Sequence, residues 1–261
     1  MMMKKWLFAC VALLLAACTT PDDGLAKKPE GIQKKYDVFL LIGQSNMAGR
    51  GTLLPEDYET TLKDVYLLDD KGEIVPATHP YNQYSSVRKE LELQQMNPGF
   101  GFAAELRRHT NRPILIVCNA KGGTSLSEWK SGSRLFSEAV RRCRQACEYG
   151  DLKAILWHQG ESDVDNCSTY MENLLTFVTA LRSELRCGKC PFIAGEIAQW
   201  HRGAPVFNPM IQLISDTIPY SDWVSSEGCT DLKGTSDPHF SREGQILLGS
   251  RYGKKVAELC Y

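Results

Sequence analysis

The chain has almost no net charge: 30 Lys and Arg stand against 31 Asp and Glu, a formal balance of -1 over 261 residues. That balance argues against nucleic acid or an anionic membrane surface as a partner held by bulk electrostatics. There is no internal repeat, and no low-complexity segment beyond a short polar stretch near the N-terminus, which speaks against a stacked-repeat architecture. No apolar run reaches the roughly 20 residues that a spanning helix needs. Asp163 and Asp165 lack the ligand spacing of a calcium loop. The pairs Cys143/Cys147 and Cys187/Cys190 lack the two-hairpin setting of a zinc ribbon. No metal and no cofactor are therefore expected. Histidine is scarce at five residues, so few side chains can act as a base near neutral pH. What is present is a 43% hydrophobic content, sufficient for the core of one large domain.

At the N-terminus, Lys4 and Lys5 precede an apolar run from Trp6 to Ala17, the layout of a secretory signal peptide. The run ends in Leu15-Ala16-Ala17-Cys18, which resembles the lipobox of bacterial lipoproteins. The resemblance implies removal of residues 1–17, lipid on Cys18, and an exported protein anchored at a membrane through that lipid alone. Residues 18–33 read as a flexible tether and 34–261 as the functional domain. Beyond Cys10 and Cys18 the sequence holds Cys118, Cys143, Cys147, Cys167, Cys187, Cys190, Cys229 and Cys260, a usage that favours disulfides outside the cytoplasm. Cys143 and Cys147 are spaced i,i+4 on a predicted helix, with Cβ atoms about 5–6 Å apart. A disulfide needs about 3.8 Å, so each is expected to pair elsewhere, with Cys187 or Cys190 as partners. Cys118 ends an apolar run and reads as a buried thiol.

Short apolar runs alternate with segments of helical period. Residues 36–42, 65–68, 113–118, 154–157 and 192–194 read as strands, apolar throughout as in a sheet covered on both faces. Helices are expected at about 101–110, 133–149, 167–186 and 205–217, with a last one opening at Ser241 as N-cap. This order predicts an α/β domain with a central parallel sheet.

Ligands bind outside the carboxyl ends of the strands in such sheets. The segment "GQSNMAGRG" (43–51) follows the first strand, "NAKGGTSLSEW" (119–129) the third and "HQGESD" (158–163) the fourth, while "SDPHF" (236–240) precedes the last helix. These loops are expected to converge. A serine hydroxyl needs a base to become a nucleophile at neutral pH, and Ser45 with His239 can form that pair. Candidate oxyanion donors are the backbone N–H of Ser45, a glycine N–H of "KGGT" and the Gln159 amide. Gln44 and Asn46 are expected to anchor the loop and border the substrate site. Trp129 either stacks on a sugar face or packs in the core, and His201, with Gln199 and Trp200 beside it after the fifth strand, is able to line the site. His158 reads as a structural hydrogen-bonding residue, and His79 and His109 as surface or loop residues.

Together, "GQSNMAGRG", "GGTSLSEW", "WHQGESD" and the "HF…G…LG.RY" block resemble the SGNH-type carbohydrate esterases, in particular the sialate O-acetylesterase and acetylxylan esterase family, carbohydrate esterase family 6. The blocks run from about residue 36 to 257. The resemblance implies a flavodoxin-like three-layer α/β/α SGNH hydrolase fold, no metal, and removal of O-acetyl groups from sialic acid or a polysaccharide through an acyl-serine intermediate. It makes Ser45 the nucleophile and first oxyanion donor, Gly123 the second donor with Gly122 as its neighbouring alternative, Gln159 the third, and His239 the base. The wider superfamily carries Asp three residues before this His. Here position 236 is Ser and the acid is Asp237, two before, so either Asp237 or Glu161 orients His239, or, in a dyad, a water or a carbonyl does. The displaced aspartate keeps open a rival reading, a non-catalytic carbohydrate-binding surface lipoprotein. A lipase or thioesterase is a third, disfavoured by polar aromatic loops such as "HPYNQYSS" (79–86).

Overall fold

The computed structural model describes residues 35–234 and 237–261. The expected signal peptide, the tether and Cys18 lie outside the described residues, as does Ser236. In chain order the elements are β1 (Tyr36–Gly43), α1 (Ser45–Ala48), α2 (Pro55–Glu59), β2 (Val65–Leu68), β3 (Ile74–Pro76), α3 (Pro98–Leu106), β4 (Ile114–Cys118), α4 (Arg134–Ala146), β5 (Gly150–His158), α5 (Cys167–Leu185), β6 (Phe192–Gly195), α6 (Ala204–Gln212), α7 (Ile214–Thr217), β7 (Ser221–Val224) and α8 (Arg242–Cys260).

The seven strands form one sheet in the order β3-β2-β4-β1-β5-β6-β7. Every neighbouring pair is parallel except β2 with the edge strand β3. Strand β1 explains why its sequence is apolar without alternation. Val38, Leu40 and Ile42 point to one face, among Leu135, Phe136, Leu174 and Phe207 of α4, α5 and α6. Phe39 and Leu41 point to the other, among Phe102 and Leu106 of α3 and Leu248 and Tyr252 of α8. Both faces are covered, so a period of two is invisible in hydrophobicity. The "LG.RY" glycine serves packing: a Cβ on Gly249 would lie 2.1 Å from Pro98 O, so only glycine lets α8 press against α3.

Two strands escaped sequence reading. β7 is four residues long and only its last is buried. β3 is three residues long, ends in Pro76 and buries none of them. Edge strands carry little of the core and so little of its pattern. The segment expected as one helix at 205–217 is two, α6 and α7, separated at Leu213. Cys118, Cys143, Cys167, Cys187, Cys190, Cys229 and Cys260 are free thiols in place of the expected cross-links. Cys143 and Cys190 are buried in one core, with Cys147 and Cys187 packed against it.

Because the main strands are parallel, the segments after β1, β4, β5, β6 and β7 leave from one rim. β1 lies between β4 and β5, the point where the winding reverses and a crevice opens.

Candidate active site

Backbone hydrogen bonds hold three rim loops in register. Gln44 N donates to His158 O at 2.9 Å, Asn119 N to Leu41 O at 2.9 Å and Lys121 N to Gly43 O at 3.0 Å. Gly43 makes this possible, since its φ is +139° and a Cβ there would lie 2.1 Å from His158 O. The chain then turns at once into α1, whose first residue is Ser45. Position N1 of a helix leaves the backbone N–H without an intrahelical acceptor, so Ser45 offers both a hydroxyl and an N–H at the strand end.

Ser45 lines a cleft of about 460 Å³ together with Gln44, Arg50, Lys89, Gly122, Gly123, Glu161, His201 and His239. Gly122 is the glycine against the serine: a Cβ on it would sit 3.4 Å from Ser45 Cβ and 2.4 Å from Arg50 Nη2. Gly123 next to it has φ +74°. Both glycines border the cleft, and at Gly122 a side chain would collide with Arg50.

His239 arrives on the segment between β7 and α8. Its Nδ1 lies 2.6 Å from Asp237 Oδ1, and its backbone N donates to the same oxygen at 2.9 Å. The two-residue spacing thus folds the carboxylate back onto its own loop. Trp200 Nε1 donates to Asp237 O at 2.7 Å, and Leu232 N donates to His239 O at 2.9 Å. With a carboxylate on Nδ1, that nitrogen carries the proton and Nε2 keeps its lone pair. Burial pushes the imidazole below the ordinary histidine range, with Asp237 opposing and Arg50 reinforcing the shift.

Glu161, the other carboxylate, is placed differently. Its Oε1 accepts from Asn46 Nδ2 at 2.6 Å and lies 3.8 Å from His158 Nε2, while Oε2 is buried without a partner. Burial raises its carboxyl to about 7, opposed by its own backbone and by Asn46 and reinforced by Asp163. Its neighbour His158 is pushed down to about 3 by burial and meets the Tyr252 hydroxyl at 3.3 Å through Nδ1. Tyr252 donates its own proton to Trp157 O at 2.7 Å, so His158 Nδ1 is the donor and its Nε2 faces Glu161 as an acceptor.

Asn46 is a loop anchor and does not border the substrate space as expected; it is fully buried. Its Nδ2 also donates to Pro238 O at 3.1 Å, and its Oδ1 accepts from Phe240 N at 3.1 Å and Gln245 Nε2 at 3.2 Å. One side chain therefore ties the turn bearing Ser45 to both flanks of His239. Trp129 likewise does not reach the cleft: it is fully buried, edge-on to Trp157, with Nε1 donating to Thr124 Oγ1 at 3.0 Å. Gln159 is not among the residues lining the cleft and is 1% exposed. Its Nε2 faces Asp163 Oδ2 at 2.5 Å, Thr124 O at 3.1 Å and Gln44 Oε1 at 3.2 Å, so its two protons point away from an oxyanion at Ser45. His79, expected as a surface or loop residue, does lie on a loop but is buried against Tyr81 and Phe100.

Sequence reading left two participants unassigned. Arg50 stood inside the quoted "GQSNMAGRG" motif, yet nothing local said that its side chain folds back along the cleft. Lys89 reaches the site only through tertiary packing. Arg50 Nη1 is held by Gly49 O at 2.6 Å and Leu93 O at 2.7 Å, and burial lowers its pKa from the ordinary arginine value.

The chain is 28% identical over 235 residues to a probable carbohydrate esterase of Arabidopsis thaliana, an alignment covering 81% of this chain and 86% of the relative. The crystal structure of that plant protein superimposes with a TM-score of 0.76 at 26% identity, covering 87% of this chain and 100% of the other. A carbohydrate acetylesterase of Xanthomonas citri shares the fold, with a TM-score of 0.62 at 16% identity over 86% of this chain and 57% of that one. Residues 35–258, which hold the sheet and all the rim loops, match the carbohydrate esterase family of sialic acid-specific acetylesterases, and the chain belongs to that family.

Proposed function

We propose that this carbohydrate esterase removes O-acetyl groups from a sugar through an acyl-serine intermediate. The observation that carries the reading is the convergence of Ser45 and His239 on one cleft with Asp237 at 2.6 Å behind the imidazole. His239 Nε2 takes the Ser45 proton as Oγ attacks the acetyl carbonyl. The oxyanion meets the N–H of Ser45 and a glycine N–H of Gly122–Gly123. Collapse breaks the ester bond, and the imidazolium returns the proton to the departing sugar oxygen. A water, deprotonated by the same Nε2, then releases acetate and restores Ser45.

Arg50 and Lys89 on the cleft wall favour a sugar that carries a carboxylate, O-acetylated sialic acid among them, since a guanidinium and an ammonium are the natural partners of such a group. Membership in carbohydrate esterase family 6, lipidation at Cys18 and anchoring at a membrane belong to the same proposal. The lipobox-like segment supports the last two, and incorporation of labelled fatty acid that is lost in Cys18→Ala checks them.

The decisive assay is hydrolysis of acetyl esters. The wild type is expected to turn over an acetyl ester and to prefer it to an octanoyl ester, and Ser45→Ala and His239→Ala each to lower kcat by about 10⁴-fold or more. A wild type with no turnover above background overturns the esterase mechanism in favour of sugar binding alone, and preference for the long chain rejects the sugar acetate.

A further inference from the structure

Four cysteines meet at the rim of the sheet opposite the cleft. Cys143 and Cys147 lie at the end of α4, just before β5 begins at Gly150, and Cys187 and Cys190 lie between α5 and the start of β6 at Phe192. The Cys143 and Cys147 thiols are hydrogen-bonded to each other and lie close enough to Cys187 and Cys190 to interact with them electrostatically. Cys187 and Cys190 form a second hydrogen-bonded pair.

The two pairs differ in shape. Cys143 and Cys147 stand one turn apart, with Cys147 N donating to Cys143 O at 2.9 Å, and the Cβ separation of about 5–6 Å for such neighbours exceeds what a disulfide spans. Cys187 and Cys190 close a tight turn instead, in which Cys190 N donates to Cys187 O at 2.8 Å. A turn of this kind brings its first and last Cα within about 7 Å, close to the roughly 4.4–6.8 Å that a disulfide bridges. Gly188 and Lys189 at its tip are exposed, and a Cβ on Gly188 would meet nothing within 4 Å, so a small reagent has access from that side. Cys187 is partly exposed there, whereas Cys190 is buried.

Arg182 lies buried beneath this turn. Its Nε donates to Cys190 O at 2.9 Å, its Nη1 to Pro219 O at 2.7 Å and its Nη2 to Tyr220 O at 2.6 Å, three neutral oxygens. The hydrogen bond from the Cys190 thiol, and then the Arg182 charge, hold Cys187 below the ordinary thiol range against the effect of burial. The same hydrogen bond and burial hold Cys190 above it. An accessible, more acidic thiol beside a buried, less acidic one is the division between an attacking and a resolving thiol.

We propose that Cys187-Gly188-Lys189-Cys190 is a redox-active dithiol that exchanges with small disulfides, with Cys187 attacking and Cys190 resolving. The Cys187 thiolate attacks one sulfur of the small disulfide, whose S–S bond breaks, and the first small thiolate leaves and takes up the proton that Cys187 gave to solvent. Cys190 then attacks the Cys187 sulfur and breaks the mixed disulfide, and the second small thiolate leaves with the proton of Cys190. Two electrons pass from the protein to the reagent, two small thiols are released, and a Cys187–Cys190 disulfide remains. The inference is independent of the acyl-serine reading.

The test uses the whole reduced protein with glutathione disulfide as the probe. Cleavage after Arg186 and Lys189 separates the two cysteines, so a Cys187–Cys190 bond is read by mass as two peptides that stay joined until a reductant is added. This bond is expected to be the first to form. Cys190→Ser cannot resolve the mixed disulfide and is expected to accumulate a glutathione adduct on Cys187, whereas Cys187→Ser is expected to gain one on Cys190 at least about tenfold more slowly. Equal rates in the two variants overturn the assigned roles. A first bond that reaches Cys143 or Cys147, a protein that forms no bond, or a metal ion that copurifies with the cluster and blocks its thiols overturns the dithiol itself. The wild-type peptide map decides alone should a variant fail to fold, and its readout needs no esterase activity.

Discussion

Asp237 and Glu161 belong to loops on the same rim, and both were open as the group that orients His239, yet the fold gives them opposite environments. Asp237 is on a loop that remains partly open to solvent, with a side chain 21% exposed, and it lies 2.6 Å from the imidazole Nδ1. Glu161 has a side chain 5% exposed, its Oε2 has no partner, and burial raises its carboxyl to about 7. A carboxylate that is to stabilise a forming imidazolium must stay ionised beside it. One that burial pushes up to about 7, as at Glu161, retains its proton up to that pH instead. The difference teaches that residue type and rim position do not assign a role; solvation and the nearest donor do.

The largest expected effect separates the two loops directly. Asp237→Asn is expected to lower kcat by about 10³–10⁴-fold, whereas Glu161→Gln, which can still accept from Asn46, is expected to keep kcat within about fivefold. Equal losses in acetyl-ester turnover would erase the distinction. A second contrast lies in stability. Glu161 has a folded value near 7 against an ordinary value near 4.5, so its contribution to stability is fully present below about 4.5 and is lost as pH rises to about 7. Glu161→Gln cannot ionise, so its stability relative to wild type is expected to improve between pH 4.5 and 8 by at most ~3 kcal/mol. Urea melts of the two proteins at both pH values check this, and a pH-independent difference would contradict it. The smallest effect is on the pH profile. Protonation of His239 removes the base, and burial holds its value below the ordinary histidine range, so the acid limb of kcat/KM is expected to have its midpoint below about 6.5. Glu161→Gln should leave that midpoint in place; a limb that moves with Glu161 would assign it to the wrong carboxylate.

Much of this was legible in the residues. The apolar runs of β1, β2, β4 and β6 were read nearly to their ends, because a strand buried on both faces declares itself by composition. The rim position of Ser45 followed from the strand before it and the glycines around it. β3 and β7 were not legible, being short edges with little buried surface, and with β7 unseen nothing in the pattern explained how the His239 loop comes to that rim. Trp129 was open between sugar stacking and packing, and Asn46 was read as a loop anchor bordering the site; burial gives Trp129 to the core and leaves Asn46 as the anchor joining the Ser45 turn to the His239 loop. The amide direction of Gln159 depends on Asp163, Thr124 and Tyr170, three groups whose meeting no local spacing announces.

The sequence by itself determined the elements and the chemistry available at one rim: a serine after the first strand, a histidine before the last helix, glycines at the turns. These follow from local rules, in which hydrophobic period, chain-reversing glycines and caps act over a few residues. Only the tertiary structure decided which carboxylate meets His239, which amide faces the cleft and which polar side chains are buried anchors, because hydrogen-bond direction and desolvation are set by atoms distant in the chain and brought within 3 Å by packing.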